Sequence, residues 1–203
     1  MLHLLYALAL LLLLSGACAI LGEKSNLSPA ALPLPLLSGA VVVLYLCGVA
    51  GFLRAGAVAV LLALAAVWVA GLVQCRPAGV ASAWKRAVSA PGFTLFLGGA
   101  AFIWCLFALH RPMFTQWDEF TAWGLAPKMV VERGAFYVAD PVNLKASFTY
   151  PATSLITFLF QPFGSWAEWA CLAAVDTLAL ACLAAASALP RERWAGGVLV
   201  FAA

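Results

Sequence analysis

Long apolar stretches alternate with short polar ones along almost the whole chain. A transmembrane helix needs about 20 predominantly apolar residues, because it rises 1.5 Å per residue through a hydrocarbon core of about 30 Å. The pattern therefore predicts an all-α, polytopic transmembrane bundle of about six to seven membrane helices, with residues 1–203 as a single integral-membrane domain. The apolar runs cover residues 2–21, 34–53, 55–74, 92–109, 149–163 and 167–189, and a seventh begins near Ala195.

The polar breaks predict how these helices are connected. Arg54-Ala55-Gly56 indicates a tight turn between the second and third helices. The stretch from Arg76-Pro77 to Pro91-Gly92 indicates a short basic loop. The last apolar run reaches only Ala203, too short a distance to cross a bilayer, so we expect the sequence to be truncated at its C-terminus.

Composition excludes the soluble classes of protein. Of the 203 residues, 66% are hydrophobic and 9% are charged, whereas a soluble domain is about one quarter charged. The net charge of +3 is too small and too dispersed for a nucleic-acid partner. The six cysteines lie in or near apolar runs without a CxxC pair, which is typical of small buried side chains. Membrane lipid is therefore the expected partner, and the oligomeric state stays open.

One long polar stretch, residues 110–150, interrupts the apolar pattern. It contains two adjacent carboxylates among three aromatic rings, with a lysine close by, and it is where chemistry is expected. The segment reads Trp117-Asp118-Glu119-Phe120-Thr121-Ala122-Trp123-Gly124-Leu125-Ala126-Pro127-Lys128.

Two short interfacial helices are predicted within this loop. Thr115, followed three residues later by an acidic residue, resembles a capping box and favours a helix over Gln116–Leu125. Pro127 then begins a second helix at its first position, and Gly134 ends that helix. Both helices would lie at the membrane surface, with their tryptophans at headgroup depth.

These residues together resemble the GT-C fold glycosyltransferases, in particular bacterial integral-membrane enzymes of the dolichyl-phosphate-mannose mannosyltransferase type. The resemblance covers about residues 105–165. The chain departs from the family at Ala152, where a second proline is often found. The matching motifs are Trp117-Asp118-Glu119-Phe120, Trp123-Gly124, Pro127-Lys128 and Tyr150-Pro151.

The resemblance implies a multi-pass enzyme of the bacterial inner (cytoplasmic) membrane. Its donor would be a polyprenyl-phosphate sugar, its acceptor a lipid-linked or cell-envelope molecule, and residues 110–150 an extracytoplasmic loop. Asp118 and Glu119 fall on the family's acidic pair, and Lys128 falls on a basic position. Charge alone leaves the orientation open, because basic residues occur both in this loop and in the predicted basic loop before it.

Glycosyl transfer needs the chemistry that these residue types supply. The acceptor hydroxyl loses a proton as it attacks, and a carboxylate base contributes about 10²–10⁴-fold. One of Asp118 and Glu119 would be the base, and the other would orient it or hold a divalent cation, the one possible cofactor. The leaving phosphate needs positive charge, and aromatic faces suit a sugar ring. The candidate substrate-binding residues are His110, Arg111, Trp117, Trp123, Lys128 and Tyr150.

Structural explanations exist for the same residues. Asp118 suits a helix N-cap, Lys128 can pair with Glu132, and Trp117 and Trp123 suit a membrane interface. Two other functions also stay open, namely a transporter or channel subunit and a non-catalytic membrane scaffold.

The transporter alternative rests chiefly on Asp176. This carboxylate lies deep in an apolar run, where a charge is costly. It would be an interior hydrogen-bonding partner or part of an ion path. Glu168 lies near a predicted helix end, where water reaches it.

Overall fold

The computed structural model describes residues 1–116, 124–136 and 151–188. These residues form seven α-helices and one 3₁₀ turn, without a strand, which confirms the predicted all-α fold. The elements are α1 Leu2–Ser25, the 3₁₀ turn Pro29–Ala31, α2 Pro33–Val49, α3 Leu53–Val88, α4 Pro91–His110, α5 Leu125–Arg133, α6 Pro151–Phe160 and α7 Glu168–Ser187.

Five of the described helices are long and apolar enough to cross a membrane: α1, α2 together with the 3₁₀ turn, α3, α4 and α7. The chain is therefore a polytopic membrane protein. The apolar run predicted over 149–163 yields the ten-residue α6 instead. The run that begins near Ala195 lies outside the described residues.

Helices α1 and α3 run parallel and pack closely. The indole Nε1 of Trp68 donates to the carbonyl oxygen of Leu13 at 3.0 Å. A Cβ at Gly16 would overlap the Trp68 ring, so this close approach requires glycine. Farther along both helices, the ammonium of Lys24 donates to the side-chain oxygen of Gln74.

Helices α4 and α7 form an antiparallel pair around Trp104. The buried Trp104 indole donates from Nε1 to Oγ1 of Thr177 at 3.0 Å. Its ring stacks on Phe160 of α6, with 5.1 Å between ring centroids. Near the opposite end of the pair, Gly92 at the start of α4 packs against Ser187 at the end of α7.

The helix directions define two ends of the bundle. The loop end holds the start of α1, the α2–α3 turn, the end of α4 and the start of α7. The turn end holds residues 26–32, residues 89–90 and the end of α7. Because α4 ends and α7 begins at the same end, the connection over 111–167 leaves and returns at the loop end.

Helix α6 corrects the prediction of a membrane crossing over 149–163. Its ten residues span about 15 Å, half of a hydrocarbon core. Every residue from Ser154 to Phe160 is buried. The Tyr6 hydroxyl donates to the Leu159 carbonyl at 3.1 Å, and Thr157 Oγ1 lies 3.5 Å from Cys171 Sγ. An apolar run fits a helix enclosed by protein as well as one surrounded by lipid, so composition alone could not separate the two.

The predicted basic loop is also corrected, because residues 77–88 are helical. Helix α3 continues past a kink at Arg76, whose backbone has φ 59° and ψ 166°. Pro77 follows the kink and fits the first position of a new helical segment. Ala83 and Ala87 are buried four residues apart, so the segment is amphipathic and packs one face on the bundle.

A third correction concerns the α2–α3 turn, which was predicted at Arg54-Ala55-Gly56. The turn is Ala50–Phe52, with Gly51 at φ 82°. The amide of Phe52 donates to the Cys47 carbonyl at 2.7 Å. Gly56 lies inside α3, where a Cβ would stand 2.7 Å from the Cys47 side chain. The glycine therefore permits close helix packing there and does not form the turn.

Candidate functional site

The end of α4 places two candidate cations at the loop end. His110 is the last residue of α4 and Arg111 caps it, and both are exposed. Arg111 adopts the left-handed conformation, with φ 48°, and its amide donates to the Phe107 carbonyl at 2.7 Å. This conformation is uncommon for a residue other than glycine and turns the chain away from the helix axis.

The chain that leaves α4 is anchored to the start of α7 through Phe114. The backbone amide of Phe114 donates to Oε2 of Glu168 at 3.0 Å. The Phe114 ring is buried and lies 6.1 Å from the Trp166 ring, between centroids. Glu168 is the first residue of α7, where the helix dipole favours a carboxylate. The start of the acidic segment is thus held four residues before Asp118.

Helix α5 holds the other end of the acidic segment. It ends at Arg133 with Gly134 in the left-handed conformation, φ 64°, which confirms the predicted C-terminus. The Gly134 amide donates to the Val130 carbonyl at 2.9 Å. The helix begins at Leu125, so Pro127 occupies its third position instead of the predicted first. Its buried residues are Ala126, Pro127, Met129, Val130 and Val131.

Lys128 points outward from α5. Its Nζ lies 4.0 Å from Oε1 of Glu132, one turn along the helix. The two side chains are 49% and 51% exposed, and a surface pair of this kind is worth at most about 1 kcal/mol. The Lys128–Glu132 pair, which the sequence offered as a structural role for Lys128, is therefore present. The pair is weak enough to leave the ammonium open to another anion.

Five of the predicted site residues, Trp117, Asp118, Glu119, Trp123 and Tyr150, lie outside the described residues, as does most of the predicted Gln116–Leu125 helix. The described part of the chain brings His110, Arg111 and Lys128 to the loop end, without a hydrogen bond or ion pair between them.

Glu168 and a group of aromatic residues at the loop end were missed by sequence reasoning. His3 packs edge-on against Trp169 with 6.0 Å between ring centroids, and Tyr6 packs edge-on against Phe163 at 6.1 Å. An acidic residue opening a helix beside tryptophans was the available signal. It did not reveal that the partner of Glu168 is a backbone amide 54 residues earlier in the chain.

Possible metal-ligand side chains are scattered through the described part of the chain. Within residues 1–116, 124–136 and 151–188, no three His, Cys, Asp or Glu side chains come together as a possible metal site. Asp118 and Glu119, the predicted cation ligands, lie outside those ranges.

No family model, curated protein or solved structure matches this chain. The resemblance to the GT-C enzymes therefore rests on the sequence motifs alone.

The Glu168 anchor leads to a stability prediction. Glu168→Ala leaves the Phe114 amide without its acceptor and should lower the free energy of unfolding by about 1–2 kcal/mol. Glu168→Gln keeps a carbonyl oxygen as an acceptor, so its loss of unfolding free energy should be less than half of the loss in Glu168→Ala. Unfolding of the detergent-solubilised protein, followed by circular dichroism, measures both. Glu132→Ala, on the exposed face of α5, is the control and should change stability by less than about 0.5 kcal/mol. Equal losses for the alanine and glutamine variants would contradict the anchor.

Proposed function

We propose that this chain is a membrane glycosyltransferase that moves a sugar from a polyprenyl-phosphate donor to a lipid-linked or cell-envelope acceptor. One observation carries the proposal: the described residues on either side of the acidic segment are both held at one end of a membrane bundle. The Phe114–Glu168 bond holds its start, and α5 holds its end. Both reactants are lipid-linked or membrane-adjacent, and a site at this end meets them where the headgroups meet water.

Each reacting group has a candidate partner in this arrangement. Asp118 accepts the proton of the acceptor hydroxyl as its oxygen attacks the anomeric carbon. Glu119 orients that carboxylate or holds a cation. Lys128 stabilises the lipid phosphate that leaves with the electrons of the broken bond. Arg111 adds positive charge at the same end of the bundle, and His110 adds a hydrogen-bond donor.

The arrangement of basic residues supports an extracytoplasmic loop end. The positive-inside rule counts Lys and Arg within about 15–20 residues of membrane helices. The described basic residues of the turn end are Lys24, Arg76, Lys85 and Arg86, and those of the loop end within this distance are Arg54, Arg111 and Lys128.

This orientation predicts that residue 143 is accessible from outside the cell. A single cysteine replacing Asn143, with the six native cysteines changed to serine or alanine, should react with a membrane-impermeant maleimide in intact cells. A cysteine replacing Ser82, at the turn end, should react only after permeabilisation. The reverse pattern would overturn the orientation and the proposed site with it.

The reaction itself is tested with purified protein in lipid nanodiscs. A panel of polyprenyl phosphates carrying radiolabelled sugars is incubated with a membrane-lipid acceptor fraction. The expected result is release of free polyprenyl phosphate, with label entering the acceptor, for at least one donor. The Asp118→Asn, Glu119→Gln double variant should release none. No consumption of any donor, or equal consumption by the double variant, would refute the proposal.

Lys128 has a prediction that separates its two possible roles. Lys128→Met keeps the apolar stem and removes the charge. If Lys128 contacts the phosphate equally in the ground and transition states, the donor KM rises with kcat little changed. If it meets only the developing charge, kcat falls. Glu132→Gln breaks the same ion pair but leaves the lysine charged, so it should change neither constant. Equal effects of the two variants would reduce Lys128 to a structural partner of Glu132.

Transport is the second candidate function, and α6 is the observation that favours it. Transporters often contain helices that do not cross the membrane and that carry buried polar groups. Helix α6 has buried Ser154 and Thr157. Proteoliposomes given a labelled polyprenyl-phosphate sugar separate the two functions. Transfer moves label into the acceptor, whereas transport moves intact donor to the inner leaflet.

A further inference from the structure

The carboxylate of Asp176 lies near the middle of a membrane helix. It follows Glu168 by eight residues and precedes Ser187 by eleven, which places it about 12 Å and about 16 Å along α7 from the two helix ends. An aspartate side chain is too short to reach water across such distances, unlike the long lysine or arginine side chains that extend to the interface. A carboxylate at this depth is costly unless it has a partner.

The described residues do not supply that partner. Asp176 has neither a hydrogen bond nor an ion pair among them. The predicted interior hydrogen-bonding role is therefore not fulfilled within this part of the chain. The described basic residues are Lys24, Arg54, Arg76, Lys85, Arg86, Arg111, Lys128 and Arg133.

Asp176 borders the surface of α7 that faces away from the bundle. Thr177, the next residue, is buried against Trp104 on the inner side. Asp176 itself is half-buried, beside an exposed strip whose large members are Val175 and Leu183, at 38% and 58% exposure. We call Leu172, Val175, Asp176, Ala179 and Leu183 the outer strip.

The outer strip has the shape that helix packing in membranes favours. Ala179 lies exposed at its centre. The neighbouring α4 also contains small residues. Gly98 is exposed, and no atom of another residue lies within 4 Å of the place where its Cβ would stand. At Gly99, the Leu180 side chain lies 3.2 Å from the corresponding Cβ position. Small residues let two helix backbones approach closely, and polar groups then hydrogen-bond across the contact.

We propose that the outer strip binds a transmembrane helix of a partner protein that carries one lysine or arginine at mid-depth. The basic side chain pairs with Asp176, and Ala179 gives room for the backbone. A second copy of this chain fits less well, because it would bring a second Asp176 to the contact and, among its described residues, no cation at that depth. This proposal is independent of the proposed glycosyl transfer.

The test uses synthetic helices in liposomes. Fluorescently labelled 21-residue leucine–alanine peptides carry lysine, leucine or glutamate at the central position. They are reconstituted with the purified protein labelled at a single cysteine, and association is measured by energy transfer. The lysine peptide should bind about fivefold to thirtyfold more tightly than the leucine peptide, the usual range for a polar contact between membrane helices. The glutamate peptide should bind no better than the leucine peptide.

Two variants test whether the preference for the lysine peptide depends on Asp176. Asp176→Asn should bind the lysine peptide as weakly as the native protein binds the leucine peptide. Phe102→Ala, on the exposed face of α4, leaves Asp176 in place and should keep the preference. Equal binding of the lysine and leucine peptides to the native protein would overturn the proposal and leave Asp176 a lipid-facing acid. Efficient oxidative cross-linking between Cys182 residues of two copies would overturn it in favour of self-association.

Discussion

Sugar transfer by an Asp118→Asn variant is expected to fall by about 10²–10⁴-fold, with normal membrane insertion. Asparagine preserves the size of the side chain but cannot accept the proton of the attacking hydroxyl. The loss should appear in kcat more than in the donor KM, because the base acts as the hydroxyl attacks. Single-turnover transfer from a labelled donor, in full-length protein at matched expression, measures it.

Glu119→Gln is the matched control at the neighbouring position. It removes the same negative charge one residue away. Its effect on sugar transfer should be smaller than that of Asp118→Asn, or should depend on the concentration of added divalent cation. Normal turnover in Asp118→Asn would show that Asp118 is not the base. A larger loss in Glu119→Gln would exchange the two roles without removing the proposed reaction.

Trp104→Ala is expected to destabilise the bundle more than any other single truncation, by about 3–5 kcal/mol. Trp104 is fully buried, stacks on Phe160, meets Trp169 edge-on and hydrogen-bonds to Thr177. Truncation opens a cavity where α4, α6 and α7 meet, and it leaves the Thr177 hydroxyl with only its own helix as partner. Unfolding in mixed detergent micelles with increasing sodium dodecyl sulfate gives the free energy.

Two variants separate the contributions of Trp104. Phe102→Ala removes an aromatic ring from the same helix, but that ring is 64% exposed, so its loss should cost less than about 0.5 kcal/mol. Trp104→Phe keeps an aromatic ring and loses the hydrogen bond, so it should cost about 1–2 kcal/mol. If Trp104→Ala and Phe102→Ala were equally stable, Trp104 would not be the central packing residue of the bundle.

The membrane helices were largely predictable because lipid imposes a simple length and composition rule. Helices α4 and α7 begin and end within about two residues of their predicted limits. The end of α5 was predicted because Gly134 alone provides a low-cost left-handed residue there. These features depend on local sequence only.

The errors share one physical cause, which is that tertiary packing decides cases that local sequence leaves open. Pro77 and three nearby basic residues fit a loop or an amphipathic helix equally well, and burial of Ala83 and Ala87 selects the helix. Gly56 fits a turn or a close helix contact, and the proximity of Cys47 selects the contact.

The candidate site stays a prediction, because its two carboxylates lie outside the described residues. Its composition, two carboxylates among aromatic residues, is what the sequence alone could indicate. Glu168 holds the chain just before these carboxylates because α7 begins beside the end of α4. This contact joins two distant segments, so the sequence pattern of either segment alone could not predict it.

The pairing of α4 with α7 also sets the order in which the protein can assemble. Trp104 and Thr177 are 73 residues apart in the chain. At about 5–20 residues per second, a ribosome needs about 4–15 s to synthesise that interval. During this time α4 is already made, while the inner face of α7 that will cover Trp104 does not yet exist. The indole N–H must therefore bond temporarily to lipid carbonyls, to water or to an insertion factor. A nascent chain arrested before residue 177 would leave a half-built bundle that membrane quality control can recognise.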